Sequence, residues 1–206
     1  NIKNVNDIKF EGNKDLIQIL GQEVDRVFQE KIKTLILSPE AIERNKDLKI
    51  VYTPIHGTGI KLIPDALRAY GFTNIIDVPE QNVISGNFPT VVSPNPEEPA
   101  ALEMAVNKAR ETDADIVMAS DPDADRIGIA IKNDKNEWIL VNGNQTYLIL
   151  IYYLIRRWKE LGRLKGNEYV VKTIVTTEVM TDIARKNGVE YFDCFTGFKW
   201  IASVMR

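Results

Sequence analysis

The sequence predicts an α/β protein of two consecutive domains, each a mixed, mostly parallel sheet flanked by helices. Three observations carry this. Short runs rich in Val, Ile and Tyr alternate with amphipathic stretches of helical period, joined by short links. Apolar runs at 115–119 and 127–131 bracket a polar loop, as buried strands do. The chain has 206 residues, 44% hydrophobic and 27% charged, enough to bury a core of ordinary size.

Residues 1–13 are polar without a sustained period and read as a linker. From 14 to 33, Leu16, Leu20, Val24, Val27, Phe28 and Ile32 recur at helical spacing, which predicts one helix. Ser38-Pro39 marks a turn, with a short helical stretch at 40–42. A β-rich run at 48–52 leads into Thr53-Pro54-Ile55-His56-Gly57-Thr58-Gly59 and a helix over 60–70 that Gly71 closes. Strand, glycine-containing loop and helix together can point N–H groups at an anion. The spacing is not that of a P-loop, and a tight strand-to-helix turn accounts for Gly57 and Gly59 equally well.

A strand at 74–78 precedes a loop over 81–99 rich in Pro, Gly, Asn and Ser. A helix starts near Pro99 with Leu102, Ala105, Val106 and Ala109 on its apolar face. The two bracketing strands follow, then a polar turn at 133–136 and a strand at 137–141, which make a hairpin. Asn142-Gly143-Asn144 caps an apolar helix to about Leu161. Beyond a break at 165–167 come a strand (169–175), a helix (177–186) closed by Asn187-Gly188, and a strand (189–194). Residues 196–201 open a further helix without a C-cap. The turn at 133–136 sets the domain division, 1–133 and 134–206; the uncapped final helix and the missing initiator Met predict a piece of a longer protein.

A net charge of −3 gives no reason to expect nucleic acid or an anionic membrane as partner. The longest apolar run, 147–155, stops at Arg156-Arg157, short of the roughly 20 residues that span a bilayer. Cys194 stands alone, which excludes an intrachain disulfide and favours a reducing, cytoplasmic setting. His56 is the single histidine and reads as a turn residue, so a histidine metal cluster is excluded.

The chemistry concentrates in Ser120-Asp121-Pro122-Asp123-Ala124-Asp125-Arg126. Three carboxylates within five residues repel one another unless water or a cation screens them, and an all-oxygen set suits a hard cation, Mg²⁺ above all. An EF-hand starting at Asp121 would need Gly and Glu where Arg126 and Lys132 stand, which rules it out. A haloacid-dehalogenase-like phosphatase with Asp121 as nucleophile is an alternative, as is a non-catalytic α/β binding module whose acidic loop is a solvated turn.

This stretch resembles the metal-binding loop of the α-D-phosphohexomutase superfamily, the phosphoglucomutase and phosphomannomutase enzymes. Three further segments resemble that family in the same order: residues 53–59, Phe88-Pro89-Thr90 with Ser93-Pro94-Asn95-Pro96-Glu97, and Thr196-Gly197-Phe198-Lys199. The resemblance covers nearly the whole chain and corresponds to the second domain and the first part of the third. It implies an intramolecular phosphotransferase that moves a phosphoryl group between the 1- and 6-positions of a hexose. The partners it implies are hexose phosphate and hexose 1,6-bisphosphate, with an enzyme phosphoserine and Mg²⁺. It makes Asp121, Asp123 and Asp125 the metal ligands and has Arg126 face the transferred phosphoryl group. Lys172 and Lys199 become candidates for substrate contact or proton transfer, with Thr196 and Gly197 beside the substrate. A lysine in an apolar strand has a burial-lowered pKa open to it, as proton transfer needs; an edge-strand charge facing solvent is the other reading of Lys172. The phosphoserine loop, the sugar-recognition loop, and domains 1 and 4 of the parent have no counterpart among these residues. The fragment is therefore expected to be inactive alone.

Overall fold

The computed structural model describes residues 3–205; Asn1, Ile2 and Arg206, the ends of the expected linker and of the last helix, lie outside the described residues. Two compact units divide between Ile36 and Leu37. In the first, the helix α1 runs over Gln22–Lys33 and not from residue 14. The preceding segment holds two 3-10 turns, Val5–Asp7 and Lys14–Leu16, each capped by an asparagine carbonyl that accepts an N–H two residues on. Between them and α1 stand β-branched Ile17 and Ile19 and the N-cap Gly21. All three disfavour helix, and they outweigh the helical phase of Leu16 and Leu20. Acidic Glu23 in the first turn of α1 and basic Lys31 in the last complement its dipole.

In the second unit, α2 (Pro39–Arg44) precedes β1 (Lys49–Thr53), α3 (Gly59–Tyr70), β2 (Asn74–Asp77), α4 (Pro99–Thr112) and β3 (Ile116–Ser120). Then come β4 (Ile127–Lys132), β5 (Trp138–Val141), α5 (Gly143–Glu160), β6 (Tyr169–Thr173), α6 (Val179–Lys186), β7 (Glu190–Cys194) and α7 (Phe198–Val204). The first sheet has the order β2-β1-β3-β4-β5; β1 is parallel to β2 and β3, while β4 and β5 add antiparallel. The second described sheet is the parallel pair β6-β7. This is the expected α/β architecture, parallel except for the β3-β4-β5 edge.

The α4 stripe explains the first core. Leu102, Ala105, Val106 and Ala109 recur on one face and are buried against Val51, Val117 and Ala119 of the central strands. Complete burial of a side chain such as Leu102 contributes about 1.5–3 kcal/mol. Pro99 opens this helix where its missing N–H costs nothing, and Asp113 ends it at φ +50°. A second core gathers Ile151 and Ile155 of α5 with Met180, Ala184 and Val189. None of the described helices is long and apolar enough to cross a membrane.

The turn at 133–136 closes the β4–β5 hairpin, with Asn133 N–H donating to Glu137 O at 2.9 Å, so the expected division at 133/134 falls inside this hairpin. Only Asn142 lies between β5 and α5. Its side chain accepts from Gln145 N–H (3.0 Å) and Gln145 Oε1 accepts from Asn142 N–H (3.1 Å), a reciprocal cap. Further along α5, Tyr153 donates to Ser38 Oγ (2.9 Å), and Arg157 donates to Leu37 O (2.7 Å). Parallel pairing of β1 with β3 sets Thr53 beside Ala119, so the loops that leave these two strands emerge side by side.

Candidate functional site

The acidic loop joins β3 to β4. Three residues after Asp121 the chain turns at Ala124, whose φ is +62° and whose N–H donates to Asp121 O at 3.0 Å. This reversal overrides strand-like alternation and brings the Asp121, Asp123 and Asp125 carboxylates together, one oxygen of each lying within 4.8 Å of the others. Asp121 is buried; Asp123 and Asp125 are exposed. Arg126 grips Asp121 twice, through N–H to Oδ1 (3.0 Å) and Nε to Oδ2 (2.9 Å), and its Nε lies 3.8 Å from Asp125. Burial pushes the Asp121 carboxyl up, but the Arg126 N–H and guanidinium outweigh it and hold the group below the usual carboxylate range. The charge of Asp123 raises the pKa of Asp125, as expected of like charges converging without a cation.

The loop at 53–59 presses on this turn. A Cβ at Gly57 would overlap Pro122 Cα and come within 2.6 Å of Pro122 O, and one at Gly59 would overlap the Tyr52 hydroxyl. Tyr52 OH lies 2.8 Å from Ser120 Oγ at the mouth of β3, and burial pushes its pKa up to about 12. Three N–H groups of this loop bond within the protein. His56 N–H donates to Gln81 O (3.0 Å), Gly57 N–H to Pro54 O (2.9 Å) and Thr58 N–H to Pro122 O (2.8 Å). The close approach of Gly57 to Pro122 and of Gly59 to Tyr52 supports the tight-turn reading of the two glycines.

His56 is buried, as a turn residue with two partners. Nδ1 lies 2.8 Å from Val83 O, so it carries the proton and donates, which leaves Nε2 to accept from Thr90 Oγ1 at 2.8 Å. Gln81 completes the knot, accepting from Thr53 Oγ1 (2.7 Å) and donating to Thr90 Oγ1 (3.2 Å). This network holds Ile55 and His56 at positive φ, 45° and 63°.

Lys172 lies near the end of β6 and is buried, which overturns the solvent-facing reading. Its Nζ sits 2.8 Å from Glu178 Oε1, 3.1 Å from Asp193 Oδ1 and 3.5 Å from Thr176 O, so three acceptors surround its three donors. The expected burial-lowered pKa is also corrected. The hydrogen bond to Glu178 raises it more than burial lowers it, and Asp193 adds to the rise. Lys172 is a fixed cation, and its ion pairs reach Glu178 and Asp193, not the acidic loop. Thr196, Gly197 and Lys199 are exposed at the start of α7. Gly197 has φ +122°, a glycine conformation, and Lys199 Nζ stands 5.1 Å from the Trp200 ring centroid.

Two family models match the chain. The model described as "Phosphoglucomutase/phosphomannomutase, alpha/beta/alpha domain II" covers residues 26–135, and that for domain III covers residues 142–206. The chain belongs to the phosphoglucomutase/phosphomannomutase family. A phosphoglucomutase of Staphylococcus saprophyticus is 34% identical over 190 residues, covering 92% of this chain and 33% of that protein. A phosphomannomutase of Mycoplasmoides pirum is 31% identical over 201 residues, 98% of this chain and 36% of that protein. The chain thus spans about a third of the length of the curated relatives it matches. The crystal structure of Aspergillus fumigatus N-acetylphosphoglucosamine mutase in complex with GlcNAc-6P and magnesium shares the fold, with a TM-score of 0.55 and 15% identity. The match covers 82% of this chain and 35% of that one.

Several neighbours of these candidate residues carry no local mark in the sequence. Glu178 and Asp193 flank Lys172 only because β6 and β7 run parallel with Lys172 opposite Asp193. A carboxylate at the matching position of the next strand is the one signal that pointed to such a pair. Thr58 and Gly57 meet Pro122 from 64 and 65 positions away, and no local pattern marks that contact.

Proposed function

We propose that these residues are the metal-binding portion of a phosphohexomutase, an intramolecular phosphotransferase that moves a phosphoryl group between the 1- and 6-positions of a hexose. The observation that carries this reading is the convergence of Asp121, Asp123 and Asp125 beside Arg126 in a chain of this family. The donor set fits Mg²⁺. Octahedral coordination at about 2.1 Å separates ligand oxygens by roughly 3–4 Å, and the three carboxylates need to draw together only slightly from their 4.8 Å limit. Asp121, Asp123 and Asp125 would hold the ion. When bound, Mg²⁺ would supply a positive charge that offsets the negative charge of the phosphoryl oxygens and draws electron density from them.

Arg126 contributes twice, orienting Asp121 through Nε while its half-exposed guanidinium offers donors to phosphate oxygens. Lys199, Thr196 and Gly197 lie at the exposed start of α7, suited to an anionic sugar phosphate, and Lys172 is a fixed charge near the end of β6. The GlcNAc-6P and magnesium, and in another structure the glucose 1,6-bisphosphate, held by the structurally similar Aspergillus fumigatus mutase support hexose phosphate and hexose 1,6-bisphosphate as substrates. On this reading the phosphoryl group is carried by a phosphoserine outside residues 1–206. The domain division is drawn at the β4–β5 hairpin, 1–133 and 134–206. A single cysteine, Cys194, supports a reducing, cytoplasmic setting. A phosphatase nucleophile at Asp121 is disfavoured, because the hydrogen bonds from Arg126 to both its oxygens draw charge from them and weaken it as a nucleophile.

The test uses the full-length protein with hexose 1-phosphate, a trace of hexose 1,6-bisphosphate and Mg²⁺. Interconversion to the 6-phosphate is expected, reduced in Asp123→Asn at least on the order of 100-fold. Protein phosphate should map to a serine outside residues 1–206. Recovery of the label on Asp121, or undiminished turnover in Asp123→Asn, overturns the reading.

A further inference from the structure

Thr58 stands at the N-cap position of α3, where a threonine hydroxyl ordinarily accepts an N–H of the first turn. It does not do so. Its backbone is in the α conformation (φ −73°, ψ −16°) and no side-chain cap bond forms. The hydroxyl turns instead to Pro122 O at 3.1 Å, and the Thr58 N–H donates to that same oxygen at 2.8 Å. One residue thereby fills both lone pairs of one carbonyl, the carbonyl between Asp121 and Asp123. Pro122 has no N–H of its own, so this oxygen is the one backbone hydrogen-bonding group that Pro122 offers. Gly57 backs the contact from the same side, its missing Cβ leaving room for Pro122. The clamp has a firm base, since Thr53, His56, Gln81 and Thr90 knot the 53–59 loop in place.

We propose that Thr58 is a positioning residue for the metal ligands: its N–H and Oγ1 fix the Pro122 peptide and so the relative placement of the Asp121 and Asp123 carboxylates. The proposal rests on the metal reading above. Thr58 is exposed and outside both hydrophobic cores, so its loss leaves the fold standing while loosening the acidic turn. Cation affinity then falls, because partners that orient ligands govern how tightly the set closes on an ion.

The experiment measures Mn²⁺ affinity of the full-length protein by calorimetry and the Mg²⁺ dependence of turnover. Thr58→Val keeps the shape and removes the hydroxyl; Thr58→Ala repeats the deletion without β-branching, should the valine protein fold poorly. In either, the Kd for Mn²⁺ should rise about tenfold, with kcat at saturating Mg²⁺ near wild type and Thr58→Ser restoring affinity to within about twofold. Unchanged Mn²⁺ affinity in Thr58→Val and Thr58→Ala, with Asp123→Asn abolishing binding, overturns the positioning role and leaves the metal reading intact. No Mn²⁺ binding by the wild-type protein overturns both.

Discussion

Arg126 holds both oxygens of Asp121, Oδ1 through its backbone N–H at 3.0 Å and Oδ2 through Nε at 2.9 Å. One residue thus fixes the rotation of the buried carboxylate while leaving further lone pairs on each oxygen for a cation. A lysine cannot reproduce the grip, because Nε sits midway along a planar fork and an ammonium sits at the tip of its stem.

Arg126→Lys should therefore keep the net charge but weaken Mn²⁺ binding, by about tenfold, as loss of a ligand-orienting partner does. Titration calorimetry of the full-length variant checks this. Wild-type affinity would show that the backbone N–H alone suffices.

Lys172 yields a pH prediction. Its folded pKa is raised, so its pairing with Glu178 and Asp193 stabilises fully below the unfolded value of 10.5 and is lost as pH rises through the higher folded value. The Tm difference between wild type and Lys172→Met should stay constant between about pH 6 and 10 and shrink above the unfolded value. A difference that already collapses near pH 8 would mean the ammonium is not held by its two carboxylates.

Gly57→Ala places a methyl group into the Pro122 backbone, which cannot rotate away as a side-chain tip could. Overpacking of this kind costs about 1–3 kcal/mol, several degrees in Tm by thermal denaturation. Gly86→Ala, where a Cβ meets nothing within 4 Å, is the control and should change Tm little.

Much of this molecule was legible because its signals are local. The α4 stripe, the Asn142 cap, the β4–β5 hairpin and the acidic run each announce themselves within a few residues. The triad's convergence was readable as chemistry but not as geometry, since it depends on Ala124 adopting positive φ, which alanine rarely does. The start of α1 was misread because periodicity alone overlooked Ile17, Ile19 and Gly21. Lys172 was misjudged for a different reason. The lowering by burial wins only where no carboxylate offsets it, and here both carboxylates come from elements folded onto β6, one after a turn and one from the neighbouring strand. The His56 knot joins Thr53 to Thr90 through tertiary contact, which spacing cannot encode.

The passage from β5 to α5 has a mechanical consequence. Two torsions, φ −67° and ψ 163° at Asn142, form the covalent joint between a strand of the first sheet and the helix lining the second core. So short a joint leaves no slack: the second core cannot drift from the first sheet, and any turning of one against the other would run through these two torsions. Any swing must first open the Asn142–Gln145 latch at one end of the helix and strip Tyr153 and Arg157 from residues 37 and 38 further along.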